Sequence, residues 1–186
     1  LEGNWTVSGN ETYSDTEIFI EGNVTITGTL ILENTTLEIR GVGNSPNTLF
    51  VENGAKFIMR NGSLLAGRDG STFFAEAHEG SVVEINGSYV SGCGMPESIL
   101  KRSGFYSESD SFTVKGSVIS NARIGLIGVD ANFIIRDSEI TSIMDAGMLL
   151  TSGSHADIDG LDLTNCLNEG ISMHDSSSAM VNMTFT

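Results

Sequence analysis

The residues of this chain best placed to do chemistry are an arginine among carboxylates. Arg136 and Asp137 in one repeated phrase and Asp159 in the next occupy matching places, so a guanidinium and two carboxylates come to neighbouring positions. Grouped carboxylates can divide the roles of general acid and base, which makes Arg136, Asp137 and Asp159 the catalytic candidates. They match no hydrolase motif, and acids scattered over outward positions are also what a solvated surface carries. Glu139 and Asp162 form a second matching pair with no base nearby. Two carboxylates on adjacent strands repel, and Ca²⁺, a proton or simple solvent screening relieves them.

Three further sets of residues invite a functional reading. Residues 95–110 carry Lys101, Arg102, Phe105 and Tyr106, which together offer charge and stacking surface. His78, His155 and His174, with Met173, Cys93 and Cys166, are the available soft and borderline metal ligands, but such ligands must converge on one point. Alternation puts Met173 and His174 on opposite sides of a strand, so no transition-metal site is expected. Seven Asn-x-Ser/Thr sequons occur, at Asn4, Asn10, Asn23, Asn34, Asn61, Asn86 and Asn182. They read either as glycosylation sites of an exported protein or as residues suited to tight turns.

The elements that must position these residues are short strands. With 186 residues, 22 Gly, 2 Pro and 18% charged residues, the composition fits a single domain of many short strands and turns better than a helical one. The formal charge is −15, which argues against nucleic acid, whose binding is driven by Lys and Arg. All nine basic residues lie at or before Arg136, so a cationic partner is favoured beyond it. No run of about 18 apolar residues marks a membrane span.

Repetition organises the whole chain. Phe112-Thr-Val-Lys-Gly-Ser-Val-Ile119, Phe133-Ile-Ile-Arg-Asp-Ser-Glu-Ile140 and Ala156-Asp-Ile-Asp-Gly-Leu-Asp-Leu163 are three copies of one phrase, and Ala179-Met-Val-Asn begins a fourth. Gly125, Gly147 and Gly170 recur in the same rhythm. Towards the N-terminus, Thr29-Leu-Ile-Leu-Glu-Asn34, Thr48-Leu-Phe-Val-Glu-Asn53 and Thr72-Phe-Phe-Ala-Glu-Ala77 look like earlier copies. A period near 22 with two-residue alternation excludes helical repeats. Leucine-rich, calcium-binding nonapeptide and hexapeptide spacings are absent, which leaves an all-β, right-handed parallel β-helix of about eight coils, with 19–29 residues per coil. In such a solenoid, strands one coil apart lie about 4.8 Å apart.

The phrases FIIRDSEITSIMDAGMLL and ADIDGLDLTNCLNEGISM resemble the parallel β-helix repeat family of pectate-lyase-like folds, with weaker coils extending the resemblance over most of residues 24–186. The family includes polysaccharide lyases and hydrolases, phage tailspikes and microbial surface or periplasmic proteins. Its lyases use an arginine base with carboxylate-bound Ca²⁺, for which Arg136 beside Asp137 and Asp159 is the nearest match. The resemblance implies the fold and leaves the activity open, because this scaffold carries many chemistries.

Definite placements follow from that register. Val114, Ile135, Ile158 and Val181 are expected in one interior file, and Cys93, Ala122, Ile143 and Cys166 in another, with the two thiols roughly 14 Å apart and therefore free. Lys115, Arg136, Asp159 and Asn182 form an outward file in which Arg136 faces Asp159. Residues 1–17 read as an irregular N-terminal cap, and 95–110 as a protruding loop that contacts a glycan or a neighbouring protein, unless its aromatics only pin it to the rod. A strand in progress at Thr186 predicts further coils in a longer parent, or an end-to-end partner on the last coil. The functional expectation is a non-catalytic secreted or cell-surface structural or adhesion module. The alternative is a carbohydrate-active protein, either a polysaccharide-binding module or a lyase or hydrolase.

Overall fold

The computed structural model of the chain describes residues 2–41, 46–94 and 99–186. Its first coil is built from β1 (Trp5–Val7), β2 (Asn10–Ser14) and β3 (Glu17–Ile20), and its second from β4 (Val24–Ile26), β5 (Thr29–Glu33) and β6 (Thr36–Ile39). The third holds β7 (Thr48–Val51), β8 (Lys56–Arg60) and β9 (Leu64–Gly67), and the fourth β10 (Phe74–Ala77), β11 (Val82–Asn86) and β12 (Tyr89–Ser91). The fifth holds β13 (Phe105–Ser107), β14 (Ser111–Lys115) and β15 (Val118–Ala122). In the last three coils the second and third strands run together: β16 (Leu126–Val129) with β17 (Asn132–Ile143), β18 (Ala146–Thr151) with β19 (His155–Cys166), and β20 (Glu169–Met173) with β21 (Ser177–Phe185).

Every pairing is parallel, and each strand pairs with its counterparts in the neighbouring coils, so the chain is a parallel β-helix. The first strands stack in the order β1-β4-β7-β10-β13-β16-β18-β20 to make one face. The second and third strands make one thirteen-stranded sheet, creased into two faces and joined through the long strands. Among the described residues no helix is long and apolar enough to cross a membrane.

Two-residue alternation places one side chain in two inside, where successive coils superpose them. Leu30, Phe57, Val83, Phe112, Phe133 and Ala156 form one interior file. The Phe112 and Phe133 rings lie 5.1 Å apart and Phe105 meets Phe112 edge-on at 4.9 Å. The main core runs from Val7 to Leu163, with a smaller cluster of Tyr106, Ile124, Ile127 and Ala146 beside it, and each large side chain withdrawn from water contributes about 1.5–3 kcal/mol. The glycine rhythm is also accounted for. Gly125, Gly147 and Gly170 stack on one another, and a Cβ at Gly125 or Gly147 would run into the carbonyl oxygen of the next glycine.

The creased corner has one construction repeated through the rod. Asp15, Asn34, Asn61, Gly87, Gly116, Asp137, Gly160 and Asn182 occupy it in successive coils, all with positive φ. That conformation suits Gly, Asn and Asp, and it turns the chain between two faces within a residue or two. Just after it, Thr35, Ser63, Ser88, Ser117 and Ser138 point inward and are buried. Their hydroxyls donate to carbonyls of their own corner, as from Ser138 to Arg136 at 2.7 Å and from Ser88 to Asn86 at 2.9 Å. They also accept backbone N–H groups from the preceding coil, Thr35 to Ser63 at 3.1 Å and Ser117 to Ser138 at 3.3 Å. This polar seam satisfies backbone groups that would otherwise be orphaned where the ladder bends.

Four expectations need correction. The interior file of Val114, Ile135 and Ile158 continues through Met180; Val181 stacks instead on Asp159, outward and 57% exposed. Asn182 occupies the corner position of Asp137 and Gly160, which shifts the last strand by one residue, and Lys115, Arg136 and Asp159 continue outward to Val181 rather than Asn182. The phrases beginning at Thr29 and Thr48 lie on different faces: Thr29 stacks on Lys56, and Thr48 on Phe74, two residues past Thr72. Both faces need the same alternation, so similar strings arose at non-equivalent places. Residues 5–20, finally, are not irregular but form a complete coil paired in parallel to the second.

Candidate functional site

Arg136 sits on the outward side of β17, held by its position just before the Asp137 corner. Its guanidinium donates to the Asp157 carboxylate at 2.5 Å and to the carbonyls of Asp157 and Ile135 at 2.7 and 2.9 Å. The acid it meets is thus two residues from the one expected. Asp159 is its register neighbour, but Asp159 accepts a bond from Asn182 at 2.8 Å. A residue two along the next strand is farther than the one straight across but still within reach of a guanidinium, and the Asp157 carbonyl rewards that reach. Arg136 therefore ties coil six to coil seven.

Glu139 and Asp162 are direct neighbours on adjacent coils, as their spacing predicted. With Asp137, Gly116, Ser117, Val118, Ser138 and Gly160 they line an open groove of about 460 Å³. Glu139 also accepts the Thr164 hydroxyl at 3.0 Å. Among the described residues no three His, Cys, Asp or Glu side chains are grouped to hold one ion. On the same outward file, two coils before Glu139, stands Tyr89, which is 51% exposed and flanked by Leu64 and Val118. Sequence reasoning passed over Tyr89, although its outward place follows from inward Val90.

The 95–110 segment divides. Met95–Ser98 lie outside the described residues. Phe105 and Tyr106 belong to β13 of the first face and are buried, Phe105 in the core and Tyr106 beneath the insert. The binding-loop assignment thus fails for both aromatics, because alternation buries Phe105 and the insert covers Tyr106. Lys101 and Arg102 lie on an exposed turn, Leu100–Arg102, folded back over that face. Lys101 Nζ is 4.7 Å from the centre of the Tyr106 ring and 3.1 Å from Glu108, while Arg102 lies over Phe74 at 5.3 Å. Tyr106 completes the latch by donating to Glu108 at 2.6 Å. Burial pushes the Tyr106 hydroxyl pKa up, and Tyr106 together with Lys101 holds the Glu108 carboxyl below its usual range.

The histidines do not converge. His78 lies against Glu52 at 2.8 Å and Glu76 at 3.7 Å, His155 against Ser177 at 2.9 Å, and His174 near Ser172 at 3.4 Å. Met173 is half-buried and its neighbour His174 exposed, as alternation requires. Both thiols are free. Ala122, Ile143 and Cys166 share the expected file, but Cys166 is only partly covered, whereas Cys93 is fully buried and bridges to Phe73. Burial raises both thiol pKa values.

The sequons fall on repeated structural positions. Asn4, Asn10, Asn34, Asn61 and Asn182 are exposed, and Asn23 and Asn86 are half-buried. Asn4 and Asn23 occupy the same place in successive coils, where each side-chain oxygen accepts a backbone N–H of the next coil at 2.9 Å. Asn34, Asn61 and Asn182 are corner residues with positive φ. In Asn61-Gly-Ser63 and Asn86-Gly-Ser88 the hydroxyl residue belongs to the buried seam. Much of the sequon excess thus follows from how the corners are built. No protein-family model, curated protein or solved structure matches the chain.

Proposed function

We propose that this chain is a rigid, non-catalytic rod of the pectate-lyase-like β-helix kind, serving outside the cell as a structural or adhesion element. The observation that carries this reading is the employment of Arg136. The guanidinium best matched to a lyase base is bonded to a carboxylate and two carbonyls of its own coils, which is the work of a brace between rungs. A charge of −15 spread along an elongated surface favours solubility and repels anionic polymers. The exposed sequons at Asn4, Asn10, Asn34, Asn61 and Asn182 are open to glycans in a secretory compartment. A turnover screen on neutral, anionic and amino polysaccharides, reading new reducing ends and unsaturated products, is expected to find no cleavage. Cleavage that disappears in a folded Arg136→Ala variant would overturn the proposal.

A carbohydrate-binding role is the second reading, favoured by exposed Tyr89 standing on the same file as a carboxylate-lined groove. In that reading the rod holds a sugar polymer without breaking it.

A further inference from the structure

We infer that the third face, between coils three and seven, binds an extended amino-sugar polymer running along the rod axis. This rests on the adhesion reading and names the class of partner. One outward file presents Leu64, Tyr89, Val118, Glu139 and Asp162 on five successive coils. The aromatic ring of Tyr89, half exposed between two aliphatic neighbours, is a platform of the type on which the apolar face of a pyranose stacks. Two coils further on, Glu139 and Asp162 with Asp137 border the open groove. A parallel file two residues along carries the hydroxyls of Ser91, Ser120, Thr141 and Thr164; Thr164 donates to Glu139 and Thr141, which leaves Ser91, Ser120 and Thr141 as the donors open to a sugar.

Spacing and charge select the ligand. Coils rise about 4.8 Å each, close to the length of one pyranose in an extended β-1,4 chain, so sugars can advance in step with coils. Among the described residues no lysine or arginine pairs with Asp137, Glu139 or Asp162. Three neighbouring carboxylates without a counter-charge favour a cationic ligand. They are not grouped to hold a single ion, so charges distributed along a polymer, one amine per sugar, fit the strip better than a metal. A polyuronate would be repelled.

The test is equilibrium binding of a soluble β-1,4-linked glucosamine oligomer to the intact chain, beside its N-acetylated counterpart, a polyuronate and polylysine. The glucosamine oligomer should bind, and weaken with salt; the polyuronate should not bind. Tyr89→Ala should weaken binding about tenfold while Tyr89→Phe retains it, and Glu139→Gln with Asp162→Asn should weaken it as much. Lys115→Gln, removing the base next to Gly116, should leave binding intact or strengthen it. Absence of binding, equal binding of the N-acetylated oligomer, or affinity that follows total charge alone, matched by polylysine and indifferent to Tyr89→Ala, overturns the strip. If the bound oligomer is shortened, the strip stands and the non-catalytic reading falls.

Discussion

The hydroxyl of Ser117 accepts the backbone N–H of Ser88 at 3.1 Å, one coil away, while lying 2.7 Å from the carbonyl of Lys115 and 3.0 Å from that of Ile85. One buried side chain thus serves two coils at the crease, where the sheet ladder cannot. Ser117→Ala strands those groups in the interior, and each unmet buried partner costs roughly 1–3 kcal/mol. Urea unfolding should therefore show a loss of about that size for Ser117→Ala. Ser120→Ala, three residues on and facing outward, should stay within about 0.5 kcal/mol of the parent. Equal effects at the two serines would mean that the seam does not stabilise the rod.

The corner also explains how far the sequence could be read. Coils five to seven were legible because Phe112, Phe133 and Ala156 begin phrases of equal length with the same inward positions. The last coil was placed one residue out because Ala179 was matched to Ala156; the corner residue Asn182, equivalent to Asp137 and Gly160, was the better anchor. Tyr106 could not have been assigned from alternation, since its outward side is covered by a segment from the preceding turn of the chain. Nor could the partner of Arg136, which turned on how far a flexible side chain reaches. Files of apolar residues are written in the sequence, whereas long polar side chains choose among several acids at similar distance.

Asn61 offers a test of the corner free of buried contacts, for it is exposed and has φ of 59°. Asn61→Gly should be close to neutral. Asn61→Val, forced into a conformation that β-branched residues avoid, should cost about 1–2 kcal/mol, read as a lower thermal midpoint. Both variants destroy the sequon, so their difference reports the backbone alone. Indistinguishable midpoints would contradict the positive φ.

The two thiols should differ in reactivity. Cys93 is fully buried and Cys166 partly covered, and burial raises both pKa values. Alkylation of the folded chain followed by peptide mass mapping should label Cys166 slowly and Cys93 hardly at all; in denaturant the two should react alike. A thiol whose pKa is higher in the folded state contributes stability that is intact below its ordinary value of 9.0 and declines as pH rises through the folded value. Cys93→Ala should therefore flatten the alkaline fall in stability, at the cost of a small cavity. Rapid labelling of native Cys93 would show that the core is open to solvent there.

The latch over the first face should fail in acid. Glu108 is held below its ordinary pKa of 4.5, first by the Tyr106 hydroxyl and then by Lys101. A depressed carboxyl stabilises the folded state above its unfolded value and loses that contribution as pH falls through the folded one. Hydrogen exchange of residues 99–107 should therefore quicken on acidification below about pH 4.5, beyond the intrinsic pH dependence of exchange. Glu108→Gln, which cannot ionise, should start with weaker protection and show no further loss over that range. Tyr106→Phe should start with weaker protection and lose less of it over that range, because removing the larger of the two restraints brings the folded value of the carboxyl closer to its ordinary one. Protection that stays constant through acid in the parent chain would mean that Lys101 and Tyr106 cover this face without Glu108.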